Sequence, residues 1–311
     1  MNMEEEIQEP LIIADIQAQA EEAFARPWPV PGGQAGNIGE NWFEVYKIRD
    51  NVFAIHEPHY FQRNYSYLVV GREQALLIDA SAQGGKDLNG LIRALTDRPC
   101  AVLPTHLHYD HLGGLAEFEK IWLADTPSVQ KARQGNGLYR LPQASTLDVE
   151  KGLSPKPLKV DRLISLDGTI DLGGVSLKVL YAPGHSLDDV ALFDPAANIL
   201  FVGDYIYPGL LISGNTGAYA ATTAKLLDII NARTLLLSAH ANHRRHTAPV
   251  MAGSDLVALQ HFLKELGTSK PESKNFHDAV YKIASARRYF INEKMSFLNE
   301  LVWSDGTKYE F

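Results

Sequence analysis

Four residues of metal-ligand type stand within six positions of the segment THLHYDHLGG: His106, His108, Asp110 and His111. The chain has 11 histidines, and three of them are here. Residues two apart on an extended segment point the same way, so His106 and His108 can aim two imidazoles at one point. Asp110 and His111 follow across a turn that Gly113 and Gly114 allow to be tight, and they can face a second point close by. Imidazole and carboxylate together suit Zn²⁺, with Fe or Mn as alternatives. Four ligands still do not close two coordination spheres.

Three further groups stand at the ends of strand-like runs: His185 in YAPGHS, Asp204 in ILFVGD and His240 in TLLLSAH. Ligands on short loops at strand ends are held rigidly by the sheet behind them. A carboxylate such as Asp204 can bridge two metals. The expected arrangement has His106, His108 and His185 on one metal, Asp110, His111 and His240 on the other, and Asp204 between them.

The elements that must position these residues read as two similar halves. From residue 43, FEVYKI, VFAIHE, YSYLVVG and ALLIDA are short strands broken by RDN and GREQ. GKDLNGLIRALTD has helical spacing, CAVLPT is a buried strand leading into the histidine motif, and a helix at Leu115–Lys120 and a strand at Ile121–Ala124 follow. Residues 133–157 show no clear period and read as an exposed excursion over a site. The second half restarts with DRLISL, TIDLGG, VSLKVLYA, VALFDP and NILFVGD, then a helix at Tyr219–Asn231 and a strand at Thr234–Ser238. Helices are expected at 252–266 and about 276–286. The order predicts an α/β protein with a sheet in each half and helices outside.

Residues 1–25 carry seven acidic and no basic side chains, which is nearly all of the net charge of −8. The remainder is close to neutral and lacks a basic stripe for a nucleic-acid backbone. Leu11 to Arg26 reads as a helix and 26–41 as a Pro/Gly-rich linker, so residues 1–41 form an arm before a main domain at 42–311. No run reaches the ~20 apolar residues of a membrane span. A single cysteine, Cys100, excludes an intramolecular disulfide framework, and no leader pattern is visible. A cytoplasmic protein is the expectation. The spacing of Leu256, Leu259, Leu263 and Leu266 fits a docked helix, and the C-terminal region reads as a helical cap or a homodimer surface.

The series H-x-H-x-D-H, P-G-H, G-D and a late His resembles the metallo-β-lactamase superfamily, in order and spacing, across roughly residues 43–245. That family's fold is a four-layer αβ/βα sandwich with the metal site at one sheet edge. The resemblance carries its seven ligands onto His106, His108, Asp110, His111, His185, Asp204 and His240. It also makes Asp79, in LLIDA, a carboxylate that orients a ligand histidine, as expected for groups behind metal ligands. One departure is SAH at the last histidine, where the family has P-G-H or G-H; the ligand itself is present.

The resemblance implies a dinuclear zinc hydrolase in which a metal-activated hydroxide attacks the substrate and Asp110 is both ligand and proton carrier. With nucleic acid disfavoured by charge, small acyl substrates remain: thioesters, lactones and esters. Tyr207, three residues after Asp204, stands where some lactonase and thioesterase relatives use a tyrosine hydroxyl on the substrate oxygen; loop packing is the equal alternative. Arg244 and Arg245 are candidates to grip an acidic group on the substrate, against a solvated loop. Phe61 and Tyr65 are candidate cleft residues, against hairpin packing. Two competitors stand beside the hydrolase. One is a mononuclear iron enzyme of the persulfide-dioxygenase type, and the other is a non-catalytic ligand-binding member of the fold.

Overall fold

The structure is a computed structural model. It describes residues 15–30, 42–141, 145, 156–208, 211, 216–241, 248–268, 280–282 and 288–290. The arm contributes helix α1 (15–23). The first sheet has five strands in sequence order: β1 (Glu44–Arg49), β2 (Val52–His56), β3 (Tyr65–Val70), β4 (Ala75–Ile78) and β5 (Cys100–Leu103). Neighbours are antiparallel except β4 and β5. A parallel pair needs a crossover, supplied by α2 (Leu88–Leu95), whose N-cap Asp87 accepts a hydrogen bond from the Gly90 N–H.

Next come β6 (Trp122–Ala124), α3 (Pro127–Ala132), β7 (Arg133–Gly135), β8 (Leu138–Tyr139), β9 (Leu158–Lys159) and β10 (Arg162–Ile164). The second large sheet has six strands, again in sequence order: β11 (Thr169–Asp171), β12 (Ser176–Tyr181), β13 (Val190–Asp194), β14 (Ile199–Gly203), β15 (Leu235–Ser238) and β16 (Val250–Ala252). Here β14 and β15 are the parallel pair, joined through α4 (Thr216–Leu227). Helix α5 (Gly253–Thr268) follows, and β17 (Val280–Lys282) pairs with β18 (Arg288–Phe290).

Strand alternation sorts the apolar residues into three cores and hence four layers. Tyr46, Ala54, Tyr67, Val69, Leu76 and Ile78 of the first sheet meet Leu177, Val179, Leu192, Phe201 and Leu237 of the second. The alternate residues Val45, Ile55, Leu68 and Leu77 pack outward on Leu88, Leu91 and Ile92 of α2. Leu180, Leu200, Val202 and Leu236 do the same on α4 and α5 through Tyr219, Leu226, Leu256, Leu259 and Leu263. Each fully buried aliphatic side chain contributes about 1.5–3 kcal/mol, so both sheets are fixed from both faces. The architecture is the expected αβ/βα sandwich. Ala20 and Phe24 of the arm pack on the inter-sheet core, and no helix among the described residues is long and apolar enough to cross a membrane.

Two local expectations of helix fail for physical reasons. The helix expected at Leu115–Lys120 is a single 3₁₀ turn, Leu115–Glu117. The chain must be extended again by Ile121, which bridges Val102, and Glu117 turns its carboxylate to the Gly85 and Asn89 N–H groups. The helix expected near 276–286 contains β17 instead, because Val280 and Tyr281 pair with Phe290 and Tyr289. The described part of the excursion forms a small sheet, β7–β8–β9, whose Tyr139 packs with the outer core of the first sheet. Residues 142–144 and 146–155 of it, and 1–14 and 31–41 of the arm, lie outside the described residues.

Gly203 closes β14 with φ +51°, and a Cβ there would stand 2.4 Å from Thr105 Oγ1. Gly203→Ala is therefore expected to cost about 2–4 kcal/mol from left-handed strain plus overpacking. Because Thr105 leads into the histidine motif, metal affinity should fall with it; chemical denaturation and chelator competition measure the two effects.

Candidate metal centre

The carboxyl ends of the two parallel strand pairs lie side by side, where α/β sheets characteristically hold ligands. Asp79 follows β4, and Thr105, His106, His108, Asp110 and His111 follow β5. His185 follows β12, Asp204 follows β14, and His240 follows β15. Backbone hydrogen bonds stitch the sheets together at this end: Val190 N donates to Thr105 O at 2.9 Å and Tyr65 N to Ala239 O at 2.9 Å, while Ala239 N donates to Gly203 O at 2.9 Å within the second sheet. Gly113 is needed for close approach, since a Cβ on it would stand 2.5 Å from the backbone of Ala82.

All seven motif residues come together, in two groups whose ligand atoms lie within 4.8 Å of one another: His106, His108 and His185, then Asp110, His111, Asp204 and His240. In the first, His108 Nδ1 is 3.0 Å from His106 Nε2 and 2.9 Å from His185 Nε2. In the second, Asp110 Oδ2 is 3.3 Å from His240 Nε2 and 3.5 Å from His111 Nε2. Asp204 spans both. Its Oδ1 is 3.3 Å from His240 Nε2 and 3.4 Å from His111 Nε2, while its Oδ2 is 3.7 Å from His185 Nε2.

The outward ring nitrogens are seated by the protein. His240 Nδ1 donates to the Gln62 carbonyl at 3.3 Å, which leaves Nε2 for the centre. His111 Nδ1 lies 3.1 Å from Asp79 Oδ2, and Asp79 accepts from the Thr105 N–H at 2.7 Å and from its hydroxyl. Asp79 is held at φ +61°, a strained backbone for a non-glycine residue, of the kind retained at functional sites. His106 Nδ1 is 3.2 Å from Thr105 Oγ1 and 3.8 Å from Asp189 Oδ1.

Burial holds the His106 and His108 rings below the usual histidine range, and so keeps them neutral. Burial also opposes charge on His111 and His240, yet the surrounding carboxylates lift both rings above that range. The same ion pairs hold Asp110 and Asp204 ionised against burial. Without a cation the second group is thus imidazolium against carboxylate, and a divalent ion would replace those protons. Asp204 Oδ1 and both His111 nitrogens are buried and make ion-pair contacts of 3.1–3.5 Å, but no hydrogen bond among the described residues. Buried atoms lacking hydrogen bonds among the described residues, together with neutral imidazoles and ionised carboxylates gathered in two groups, fit divalent metal ions.

Tyr207 sits at the rim, its ring 5.4 Å from that of His240 at an interplanar angle of 72°. Phe61 is exposed beside Gln62 on the β2–β3 connection. Tyr65, expected to line the cleft, is instead buried and stacked on His56 at 4.3 Å, so its ring is committed to packing. Arg244 and Arg245 lie outside the described residues. Sequence reasoning passed over Gln62 and Asn64, whose amides reach Asp110, and Asp188, which accepts from the Leu107 N–H at 2.7 Å. HSLDDV placed Asp188 beside His185, a usable signal; FQRN offered none that pointed to Asp110.

The Metallo-beta-lactamase superfamily model matches residues 60–242. Acyl-coenzyme A thioesterase MBLAC2 of Homo sapiens is 30% identical over 217 residues, covering 61% of this chain and 77% of that protein. Probable metallo-hydrolase YqgX of Bacillus subtilis (strain 168) is 29% identical over 193 residues, covering 56% of this chain and 83% of that one. The solved metallo-beta-lactamase from Erythrobacter litoralis shares the fold, with TM-score 0.51 at 18% identity over 73% of this chain and 99% of its own. The family match spans more than half of the chain and includes every residue of both metal-ligand groups, so the chain belongs to the metallo-beta-lactamase superfamily and is a metallo-hydrolase.

Proposed function

We propose that this chain holds two divalent metal ions, zinc in the first instance, and hydrolyses an acyl thioester, with lactones and esters as lesser substrates. The observation that carries the reading is Asp204, with one carboxylate oxygen turned to each group of ligands. Ions held there would supply Lewis acidity and a water acidified toward neutral pH. Burial opposes the charge on Asp110, yet His111 and His240 hold its carboxyl below the usual carboxylate range, and in this reading it serves as ligand and proton acceptor. A thiolate is a good leaving group, so cleavage of the C–S bond needs no strong acid behind it. In this reading Tyr207, whose ring lies beside that of His240, donates its hydroxyl to the developing oxyanion. The free cysteine is no competing nucleophile: Cys100 begins β5, and burial pushes its thiol up to about 12. A mononuclear oxygenase would leave Asp110, His111 and His240 idle; their burial around one point supports the second ion. The thioester choice is supported by the acyl-coenzyme A thioesterase relative.

The test is a substrate panel on the metal-loaded chain: short and long acyl-CoA thioesters, a lactone and an aryl ester, with released thiol or acid measured. The thioesters should give the highest kcat/KM. Absence of turnover on every acyl substrate would overturn the reading. Tyr207→Phe should lower kcat about tenfold to a hundredfold with KM little changed, the pattern of a transition-state contact. An unchanged kcat would return Tyr207 to loop packing.

A further inference from the structure

The β2–β3 connection, residues 57–64, is a closed loop built to be stiff. Its neck is tied by Glu57 N donating to Asn64 O at 3.0 Å, and its interior by Arg63 N donating to Tyr60 O at 2.9 Å. Glu57 anchors it to the body, accepting from the Ala82 N–H at 2.7 Å and from Trp42 Nε1 at 3.0 Å. The tip lies against the second group of ligands. Asn64 Nδ2 donates to Asp110 O at 2.8 Å and to Asp110 Oδ2 at 3.1 Å. Gln62 Nε2 donates to the same Oδ2 at 3.2 Å, its Oε1 accepts from Tyr109 OH at 2.8 Å, and its main-chain carbonyl accepts from His240 Nδ1 at 3.3 Å. The amide orientations are dictated by chemistry: a carboxylate and a carbonyl only accept, and a phenol in this contact must donate.

We propose that Gln62 and Asn64 are positioning residues for the second metal site, holding Asp110 Oδ2 and the His240 ring in ligating orientation. The proposal rests on the dinuclear reading above. Asp110 Oδ2 is also the oxygen nearest His111 and His240 in the ion pairs of that group. The amides therefore select which oxygen faces the metal site, and they keep the carboxylate from rotating. Asn64 leaves its own Oδ1 buried with no hydrogen bond among the described residues, so its placement is explained by what its nitrogen holds. His106 is seated by different groups, Thr105 and Asp189, so the loop's influence is selective for one site.

The experiment titrates zinc into the metal-free full chain against a chromogenic chelator and resolves two successive affinities. It compares the wild type with Gln62→Ala and Asn64→Ala, with circular dichroism as the check on folding. Both variants should bind the second zinc about 10–100-fold more weakly, the usual cost of removing a partner of a metal ligand, and leave the first affinity unchanged. Two wild-type affinities in both variants would overturn the positioning role and leave the dinuclear reading standing. Equal weakening of both sites in a folded variant would also overturn it, as a general structural effect. A wild type that saturates at one zinc would overturn the dinuclear reading and this proposal together. Should Asn64→Ala fail to fold, Gln62→Ala, on the partly exposed part of the loop, decides alone.

Discussion

Asp204→Ala is expected to lower acyl hydrolysis about a thousandfold, equivalent to about 4 kcal/mol of barrier, and to reduce bound metal from two ions per chain to one or none. The size of the effect follows from geometry. Each of the other six motif side chains faces a single group, whereas Asp204 reaches His111 and His240 through Oδ1 and His185 through Oδ2. Removing it leaves the buried His111 and His240 rings with less compensating negative charge and takes away the link between the two groups. Asp204→Asn separates shape from charge: it keeps the volume, loses the negative charge, and should be nearly as damaging. Gly203 next to it takes a left-handed φ open to glycine and packs tightly on Thr105, so the carboxylate is delivered by closely packed chain. Full activity with two metals in either variant would remove Asp204 from the centre. Steady-state kinetics and elemental analysis on the same preparations measure both quantities.

Stripping the metal should lower Tm by about 10 °C. Asp79, Asp110, His111, Asp204 and His240 are all buried, and several of their polar atoms have no hydrogen bond among the described residues. Buried charged groups without full pairing are costly, and a bound ion relieves that cost only in the folded state. A ligand present at about a thousand times its Kd adds about 4 kcal/mol, and a chain of this size gains about 2–4 °C for each kcal/mol. Thermal melts with chelator, and again after zinc is restored, should show the loss and its recovery. A melting temperature indifferent to chelator would mean that the groups are satisfied without a cation.

The seven clustered residues were legible because they follow strand-like runs, His106, His185, Asp204 and His240 soon after a strand and Asp110 and His111 across the turn beyond, and strand ends can be read from local pattern. His106 and His108 follow CAVLPT, whose first four residues are β5, and Asp204 follows ILFVG, which is β14. The two-sheet architecture was legible for the same reason: alternation in YSYLVV and the apolar runs in ALLI and ILFVG mark buried strands. What failed depended on distant partners. Nothing in YFQRNYSY tells that Gln62 and Asn64 meet a carboxylate 48 and 46 residues later. Tyr65 looked like a cleft residue beside Phe61, but a strand sends neighbouring side chains to opposite faces, and its register opposite His56 turns it into the core. The helix expected at about 276–286 fails in the same way, since cross-strand pairing of β17 with β18 outweighs a weak intrinsic preference.

The most direct test counts the metals. The chain, reconstituted with zinc and freed of excess, is weighed by native mass spectrometry while acyl thioester turnover is followed on the same sample as zinc is added stepwise. The expected result is a mass increase of two zinc ions per chain, with turnover rising mainly as the second site fills. Full turnover at one metal per chain, or equal turnover by the folded metal-free protein, would contradict the dinuclear centre on which the proposed function stands.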